Sequence, residues 1–464
     1  MEGQGTGASR VGGIQRRLER CFASVEVDRD VRLKIICGCL LLFFHMTFCD
    51  WWFRAEGLST LGDRMFNAVP APWVEGIRGW VVLDLQSTRI ALYALGMLSL
   101  LGLFSLFARR SSLPALCILA LLFLAKGFLY LADFRLFANY HHFHMAFTLV
   151  FLLASDKLRF FRLALAVCYL MSGFVKLSPS WLQGEHFNAV PGKLPLLPKT
   201  EWVVTAASVA VVVMELLAPL CWFTGVRWLR RLSFGAIVLF HLYSGVIIGL
   251  FYTTLMLPLV IAAFRGFDEP LQRGYRYTRR HLVPLAVCAL GLVGGLWPFV
   301  IPGDVRLTAE GRYLGMFMVD ARHSVRSEIR IEKGNKRWEI SMERNWARRP
   351  GEKAPDGRIF CFYSQNGVPM LQAPVVAPLR DGEEVIFNPR FFLEARMRLS
   401  GDPYLYYHYC RELVRRYQPD RVSIRMEQRL DAREETAVLL DIDDFGALAP
   451  DYNPFWRNDW ILLP

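Results

Sequence analysis

The chain has 464 residues, of which 53% are hydrophobic and 14% aromatic, and it carries a formal net charge of +12 at pH 7. Its apolar residues form runs too long for the core of a soluble domain, so the composition indicates a membrane protein with an attached polar part. The basic residues lie in short clusters beside those runs, such as FARR, DKLRFFR and VRWLRR. This distribution follows the positive-inside rule and argues against a nucleic-acid footprint, so we expect no nucleic-acid partner.

The N-terminal segment, residues 1–32, is polar and basic. No small-residue cleavage site follows the first apolar run, so we interpret that run as a retained helix and not as a removed signal peptide. We therefore predict a cytoplasmic basic N-terminus over 1–32.

Residues 33–302 are predicted to form a multi-pass α-helical membrane bundle of about nine crossings, since a crossing needs about twenty apolar residues. The long apolar run 232–264 is the least regular part, because it must turn near FYTT to cross the membrane twice. The predicted windows are 33–52, 89–108, 113–133, 140–155, 158–176, 202–224, 232–250, 252–264 and 282–301.

The orientation of this bundle follows from its charged loops. With the N-terminus in the cytoplasm, nine crossings place the basic clusters at 109–110, 157–162, 227–231 and 265–280 on the inner side, as the positive-inside rule requires. The same count places the part after 302 on the outer side. We therefore predict a multi-pass integral membrane protein whose C-terminal domain is periplasmic or lumenal.

The composition changes after Pro302, where the apolar runs stop. Alternating stretches such as SEIRIEKG, KRWEISME, EEVIFNP and RVSIRMEQRL predict β-strands. The segment 389–417 predicts two helices separated at Gly401, Asp402 and Pro403. We predict that 303–464 form one smaller, strand-rich α+β domain outside the membrane.

Several ionisable side chains interrupt the apolar windows, where their burial is costly by about 2.5–3.5 kcal/mol each. Each is therefore a candidate functional residue, and under the predicted orientation they lie at mid-membrane or nearer the outer face, where they would share an outward-opening polar cavity. They are His45, Asp50, Lys126, His141, His142, His144, Lys176, Glu215 and His241.

Each candidate also has a structural interpretation. Lys176 ends an apolar run and is able to extend its amine to the interface, while Glu215 and His241 suit hydrogen bonds between helices. His141 and His144 are three residues apart on one helical face and are thereby able to share a metal. However, no HExxH motif or further carboxylate cluster accompanies them, so we expect no metal site.

The segment SGFVKLSPSWLQGEHF, residues 172–187, resembles the G-x-x-K-L-x-x-x-W-x-x-G segment of a known family. That family is the vitamin K-dependent γ-glutamyl carboxylases with their bacterial relatives, the horizontally transferred transmembrane domain (HTTM) proteins. The likeness extends over about 33–464, including LADFRLFANYHHFHM, LFHLYSGVIIGLFYTTLML, LTAEGRYLGMFMVDAR, NPRFFLEARMRLSGDPYLYYHYCREL and the terminal FWRNDWILLP. The chain looks like a bacterial-type member.

The resemblance implies a lyase that couples oxygenation of a quinol to carboxylation of a carbon acid. Lys176 matches the family's base, which deprotonates reduced vitamin K, with O2 and CO2 as co-substrates. Either His141 or His142 matches a charge-stabilising histidine, and His241 matches the family's Phe-His residue. Trp181 and Gly184 match the motif as supporting residues, and Glu215 is a candidate to orient Lys176. A lysine desolvated at a helix end is also suited to act as a neutral base.

Three functions therefore stay open on the sequence. The first is a carboxylase-like enzyme acting on a glutamate or another carbon acid, presented by a peptide or protein at the outer side of the bilayer. The second is a non-catalytic membrane scaffold that binds a partner through the outer domain. The third is a quinone-linked oxidoreductase without carboxylation. Convergence of Lys176, His142 and His241 on one cavity distinguishes catalysis from a scaffold role.

Overall fold

A computed structural model of the chain describes residues 6–58, 71, 74, 83–108, 111–184, 198, 200–248, 250–264, 278–311, 313, 323–334, 336–344, 359–363, 369–371, 375–380, 383–387, 401–430 and 435–463. The helices are α1 (Thr6–Cys21), α2 (Ser24–Arg29), α3 (Val31–Leu58), α4 (Leu85–Ala108), α5 (Leu113–Ala132), α6 (Asn139–Leu153), α7 (Lys157–Val175), α8 (Pro179–Leu182), α9 (Glu201–Cys221), α10 (Arg227–Ile248), α11 (Leu250–Phe264), α12 (Leu282–Leu296), α13 (Val305–Thr308), α14 (Pro403–Tyr417) and α15 (Phe445–Leu448).

Six helical segments in the described part of the chain are long and apolar enough to cross a membrane. They are Val31–Ala55, Leu85–Ala108, Leu113–Ala132, Lys157–Val175, Glu201–Cys221 and Leu282–Val300. The protein is therefore a multi-pass membrane protein, as predicted. The other three predicted windows also form helices, α6, α10 and α11, but α6 and α11 have only 15 residues each.

The apolar run 232–264 turns between α10 and α11. The Thr253 hydroxyl, in the first turn of α11, donates a hydrogen bond to the carbonyl of His241 at 3.2 Å. Twelve residues of continuous helix would separate these groups by about 18 Å, so the two helices lie side by side. The predicted turn near FYTT falls at the junction of Ile248 and Leu250.

One end of the bundle is held by α2. The Asp28 carboxylate accepts a hydrogen bond from the Ser112 amide at 2.7 Å, and the Glu26 carboxylate accepts one from the Lys157 amide at 3.0 Å. The Lys157 ammonium, fully buried, donates to the Leu152 carbonyl near the end of α6 at 3.4 Å and to that of Ala154, the residue after α6, at 3.1 Å. The first residues of α3, α5 and α7 therefore lie at the same end of the bundle.

The C-terminal part contacts the opposite end. The ring of Phe134, just after α5, lies 5.2 Å from Tyr404 and 5.1 Å from Tyr313, measured between centroids. The Trp297 indole, just after α12, donates to the Phe455 carbonyl at 2.7 Å. Residues after 302 therefore pack against the end of the bundle that lies away from α2.

The strands of the C-terminal part are β1 (His323–Lys333), β2 (Lys336–Arg344), β3 (Ile359–Tyr363), β4 (Pro369–Leu371), β5 (Val375–Arg380), β6 (Glu383–Phe387), β7 (Arg421–Leu430) and β8 (Ala437–Ile442). One sheet has the order β4, β3, β2, β1, β7, β8, and β5 pairs with β6 in a hairpin. Strands β1, β2, β6 and β7 fall on the four alternating stretches, so all four predicted strands are confirmed. Three antiparallel pairs, β1 with β2, β1 with β7 and β7 with β8, form most of the larger sheet.

The alternation of β7 has a packing cause. Every second side chain of β7, from Val422 to Leu430, is buried, and Ile424 lies opposite Ile329 of β1. The helix α14 is rich in buried tyrosines and begins at Pro403, with the Asp402 carboxylate accepting a hydrogen bond from the Tyr404 amide. Its start confirms the predicted helix boundary, while the first of the two helices predicted over 389–417 lies outside the described residues.

Candidate functional site

Lys176 and Glu215 form a buried ion pair between α7 and α9, here called the lysine–glutamate pair. The Lys176 ammonium lies 2.8 Å from one oxygen of the Glu215 carboxylate and 2.6 Å from the other. Each side chain is only 3% exposed. Lys176 is the C-cap residue of α7, and Glu215 lies inside α9, so the pair joins two candidate spans. Lys176 is therefore directed into the bundle and does not extend to the interface.

The close approach of α7 and α9 depends on Gly173. A β-carbon at this position would lie 2.8 Å from the Leu216 side chain and 3.3 Å from the β-carbon of Glu215. Such a distance to Leu216 is shorter than a van der Waals contact allows, so a larger residue would force the Leu216 side chain or the helices themselves to shift. Gly173 thereby brings Glu215 within reach of the Lys176 amine.

Trp181 and Gly184 complete the segment after α7. The Lys176 ammonium lies 5.4 Å from the centroid of the Trp181 ring, within the range of a cation–π interaction. Gly184 has φ of +74°, and a β-carbon there would lie 2.7 Å from the Val204 side chain of α9. Trp181 therefore lies beside the Lys176 amine. Gly184 lies against α9, the helix that carries Glu215.

His241 of α10 is joined to α7 by Tyr169. The Tyr169 hydroxyl is hydrogen-bonded to the Nε2 atom of His241, and both side chains are buried. Tyr169 lies seven residues before Lys176, which is two turns of helix, so the two side chains share one face of α7. The structure therefore brings Lys176, Glu215 and His241 into one region.

Several buried polar atoms in this region have no hydrogen-bond partner among the described residues, among them Nδ1 of His241, Oγ of Ser172 and Nε1 of Trp222. Ser172 lies on α7 between Tyr169 and Lys176, and the Trp222 ring lies 5.5 Å from that of Tyr169. His241 needs a partner at Nδ1 in either tautomer, as an acceptor or as a donor. Buried polar atoms are rarely left unsatisfied, so this region is suited to a ligand with hydrogen-bonding oxygens.

His141 and His142 lie against a different set of residues. The His141 ring is fully buried, 5.3 Å from Trp51 and 6.0 Å from Tyr130. The His142 ring is half-buried and lies 5.4 Å from both Tyr130 and Phe137. These contacts belong to α3, α5 and the turn after α5. The two histidines therefore line the end of the bundle that contacts the C-terminal part.

The third histidine of the trio, His144, binds Lys126. Nε2 of His144 donates to the Leu40 carbonyl at 3.0 Å, so Nδ1 is left to accept from the Lys126 ammonium, also at 3.0 Å. The same ammonium lies 3.4 Å from the Thr47 hydroxyl and 5.4 Å from the ring centroids of Phe43 and Phe44. This second intramembrane cluster joins α3, α5 and α6.

A layer of aromatic rings connects the two clusters. The Phe143 ring of α6 lies 6.4 Å from Tyr252 of α11, and Tyr252 lies 5.9 Å from His241. The rings of His141 and His142 both lie beside Tyr130, with centroids 6.0 and 5.4 Å away. The predicted residues thus divide into one group around Lys176 and another around Tyr130.

The remaining polar candidates have local partners. Nδ1 of His45 lies 3.0 Å from the Gly96 carbonyl, and Asp50 forms an ion pair with Arg54 one turn on. Within the described ranges, no group of three or more His, Cys, Asp or Glu side chains is placed to hold a metal ion.

Three residues that matter here were absent from the sequence prediction: Tyr169, Ser172 and Trp222. The first two, with Lys176, follow the spacing i, i+3, i+7, which places them on one stripe of α7. That spacing was available in the sequence, but Tyr169 and Trp222 read as ordinary apolar residues of a span.

Comparisons with protein-family models, with curated proteins and with solved structures find no match for this chain.

Proposed function

We propose that the protein is an integral membrane enzyme of the vitamin K-dependent γ-glutamyl carboxylase-like type, in which the lysine–glutamate pair is the base. The observation that carries the proposal is the buried position of this pair between two candidate spans, with both carboxylate oxygens within 2.8 Å of the amine. The motif resemblance around Lys176 adds the reaction class. The acceptor is a glutamate or another carbon acid presented from the outer side.

The pair suits proton transfer in a low-dielectric interior. An isolated buried charge costs several kcal/mol, whereas a lysine and a glutamate side by side are neutral overall in either protonation state. The Lys176 ammonium is able to pass a proton to the Glu215 carboxylate over 2.6 Å and become a neutral amine. That amine then takes a proton from a bound hydroxyl, and the positive charge that results on the pair balances the oxyanion beside it.

The unsatisfied buried atoms support a ligand that carries oxygens. Reduced vitamin K or a related quinol fits this donor and acceptor set: Lys176 would hold one hydroxyl, and His241 Nδ1, Ser172 Oγ and Trp222 Nε1 offer further hydrogen bonds. When bound, a quinol supplies oxygen chemistry that yields a strong base for abstracting a carbon-bound proton. Tyr169 holds the His241 ring through Nε2 and leaves Nδ1 for the ligand.

His141 and His142 take a separate role in this proposal. They lie toward the end of the bundle that contacts the C-terminal part, beside Tyr130 and Phe137. A histidine there is suited to stabilise negative charge on an acceptor that enters from the outer domain. Replacing His141 and His142 with glutamine in separate variants tests which of the two matches the family's histidine.

We also propose nine crossings, with a cytoplasmic N-terminus and an extracytoplasmic C-terminal domain. Because α5 and α7 both begin at the end of the bundle held by α2, the chain must return through α6 between them. A parallel argument supports α10 and α11, since Arg162 near the start of α7 donates to the Ala263 carbonyl at the end of α11. The sidedness rests on the positive-inside rule.

The test uses purified protein in nanodiscs with reduced vitamin K, O2, labelled bicarbonate and a glutamate-containing peptide. Quinone epoxide and peptide-bound label are followed together for the native chain, Lys176→Ala and Glu215→Gln. Lys34→Ala, at the start of α3, is the control for loss of one lysine. The proposal predicts both products from the native chain and the control, and neither from Lys176→Ala.

The other outcomes separate the alternatives. Formation of the epoxide without peptide-bound label would support Lys176 as the base. It would also indicate a different acceptor or an oxidoreductase function. Absence of both products from a folded native chain, across a set of quinols, would overturn the proposal and favour the scaffold function. Unchanged activity in Lys176→Ala would remove Lys176 from the chemistry.

A further inference from the structure

The described side chains of helix α1 have little cover from the rest of the protein. From residue 13 to Cys21 its side chains are exposed, apart from a half-buried Glu19. Ile14 is 59% exposed and Leu18 is 37% exposed. Large apolar side chains on an isolated helix are unfavourable in water, so this face indicates a contact with something outside the chain.

The residues of α1 are sorted by chemistry around the helix axis. Ile14, Leu18 and Cys21 follow the spacing i, i+4, i+7 and form one apolar stripe. Arg16, Arg17 and Arg20 occupy the adjoining face. With Arg10, α1 has four arginines against one glutamate. A short helix with an apolar stripe beside an arginine-rich face is typical of segments that lie in the plane of a membrane surface.

The position of α1 relative to the spans supports this assignment. The next helix, α2, is fixed by hydrogen bonds to Ser112 and Lys157, the residues at which two candidate spans begin. Ala23, between α1 and α2, adopts a left-handed conformation with φ of 45°, which turns the chain sharply. Two more apolar residues, Val25 and Val31, are 48% and 61% exposed at this level. The C-terminal end of helix α1 therefore lies at the level of the bundle end.

We propose that α1 binds the surface of the leaflet next to α2 through acidic lipid headgroups. The apolar stripe of Ile14 and Leu18 inserts at the boundary between headgroups and acyl chains, and the three arginines contact lipid phosphates. Anionic lipid is the occupant because the exposed charge of α1 is strongly positive and basic residues near an acidic leaflet gain affinity. This proposal is independent of the catalytic proposal.

Hydrogen–deuterium exchange of the full chain in nanodiscs tests the proposal. The probe is phosphatidylglycerol, added to phosphatidylcholine nanodiscs and compared with phosphatidylcholine alone. Each arginine near an acidic surface is expected to change the bound lifetime about fivefold, so amides of α1 should exchange at least about tenfold more slowly with phosphatidylglycerol. The combined change Arg16→Gln, Arg17→Gln and Arg20→Gln should abolish the difference.

A matched control removes three arginines elsewhere. The combined change Arg421→Gln, Arg425→Gln and Arg429→Gln on β7 alters net charge equally and should keep the lipid effect on α1. Exchange of amides in α5 reports whether each variant is folded. Equal exchange of α1 in both lipid mixtures would overturn the proposal. Fast exchange in both would show an unbound helix, and slow exchange in both would show a contact that does not depend on acidic lipid. Persistence of the lipid effect in the α1 variant would overturn the role of the arginines.

Discussion

The lysine–glutamate pair makes a quantitative prediction for stability. Replacing Glu215 with leucine leaves the Lys176 amine 3% exposed without the carboxylate that lies 2.6 and 2.8 Å from it. Removing one partner of a buried pair costs about 3–5 kcal/mol in unfolding free energy.

The assay is reversible unfolding of the purified chain in mixed micelles, for native protein, Glu215→Leu, Lys176→Met and the double variant. Each single change should destabilise by about 3–5 kcal/mol, and the double variant should recover most of that loss, since it removes both charges and keeps the volume. Single effects that simply add in the double variant would refute the pair as a coupled unit.

Three further predictions concern the surroundings. Gly173→Val should separate α7 from α9 and lower the unfolding free energy by about 1–3 kcal/mol, because its side chain meets Leu216; Gly235→Val, in open space, is the control. Burial raises the pKa of Glu26 from 4.5 to about 7, so the folded chain keeps a proton that the unfolded chain releases, and stability should fall from about pH 4.5 to pH 7. Glu26→Gln should flatten that fall in melting temperature, and an unchanged slope would contradict it. Asp133→Asn should cost about 3–5 kcal/mol in thermal unfolding, because the Arg135 guanidinium, 1% exposed and 2.8 Å from Asp133, loses the charge of that carboxylate.

The helices of the bundle follow from local properties of the sequence. All nine apolar windows form helices, since length and hydropathy alone identify segments whose backbone must be satisfied internally. The boundaries were also readable where capping chemistry marks them, as at Asp402 and Pro403 before α14. Alternation of apolar and polar residues predicted β1, β2, β6 and β7, because successive side chains of a strand point to opposite faces of the sheet. The parallel pairing of β2 with β3 has no such local signal.

The site itself was only partly predictable. Each ionisable residue in a span was identifiable because its burial is costly. The partner of each was not, because Lys176 and Glu215 are 39 residues apart and their contact depends on how closely α7 and α9 pack at Gly173. The histidine trio shows the same limit. Only the folded arrangement directs His144 toward Lys126 and turns His142 toward Tyr130.

The most direct test of the central claim, that Lys176 and Glu215 act as one proton-accepting unit, is infrared difference spectroscopy of the protein in nanodiscs. Reduced vitamin K is added without oxygen, and the carboxyl bands of the native chain are compared with those of Glu215→Gln. If the pair accepts the proton, the native chain should lose a carboxylate band and gain a protonated carboxyl band, and both changes should be absent from Glu215→Gln. Binding of the quinol with no change in the carboxyl bands, or the same change in Glu215→Gln, would contradict it.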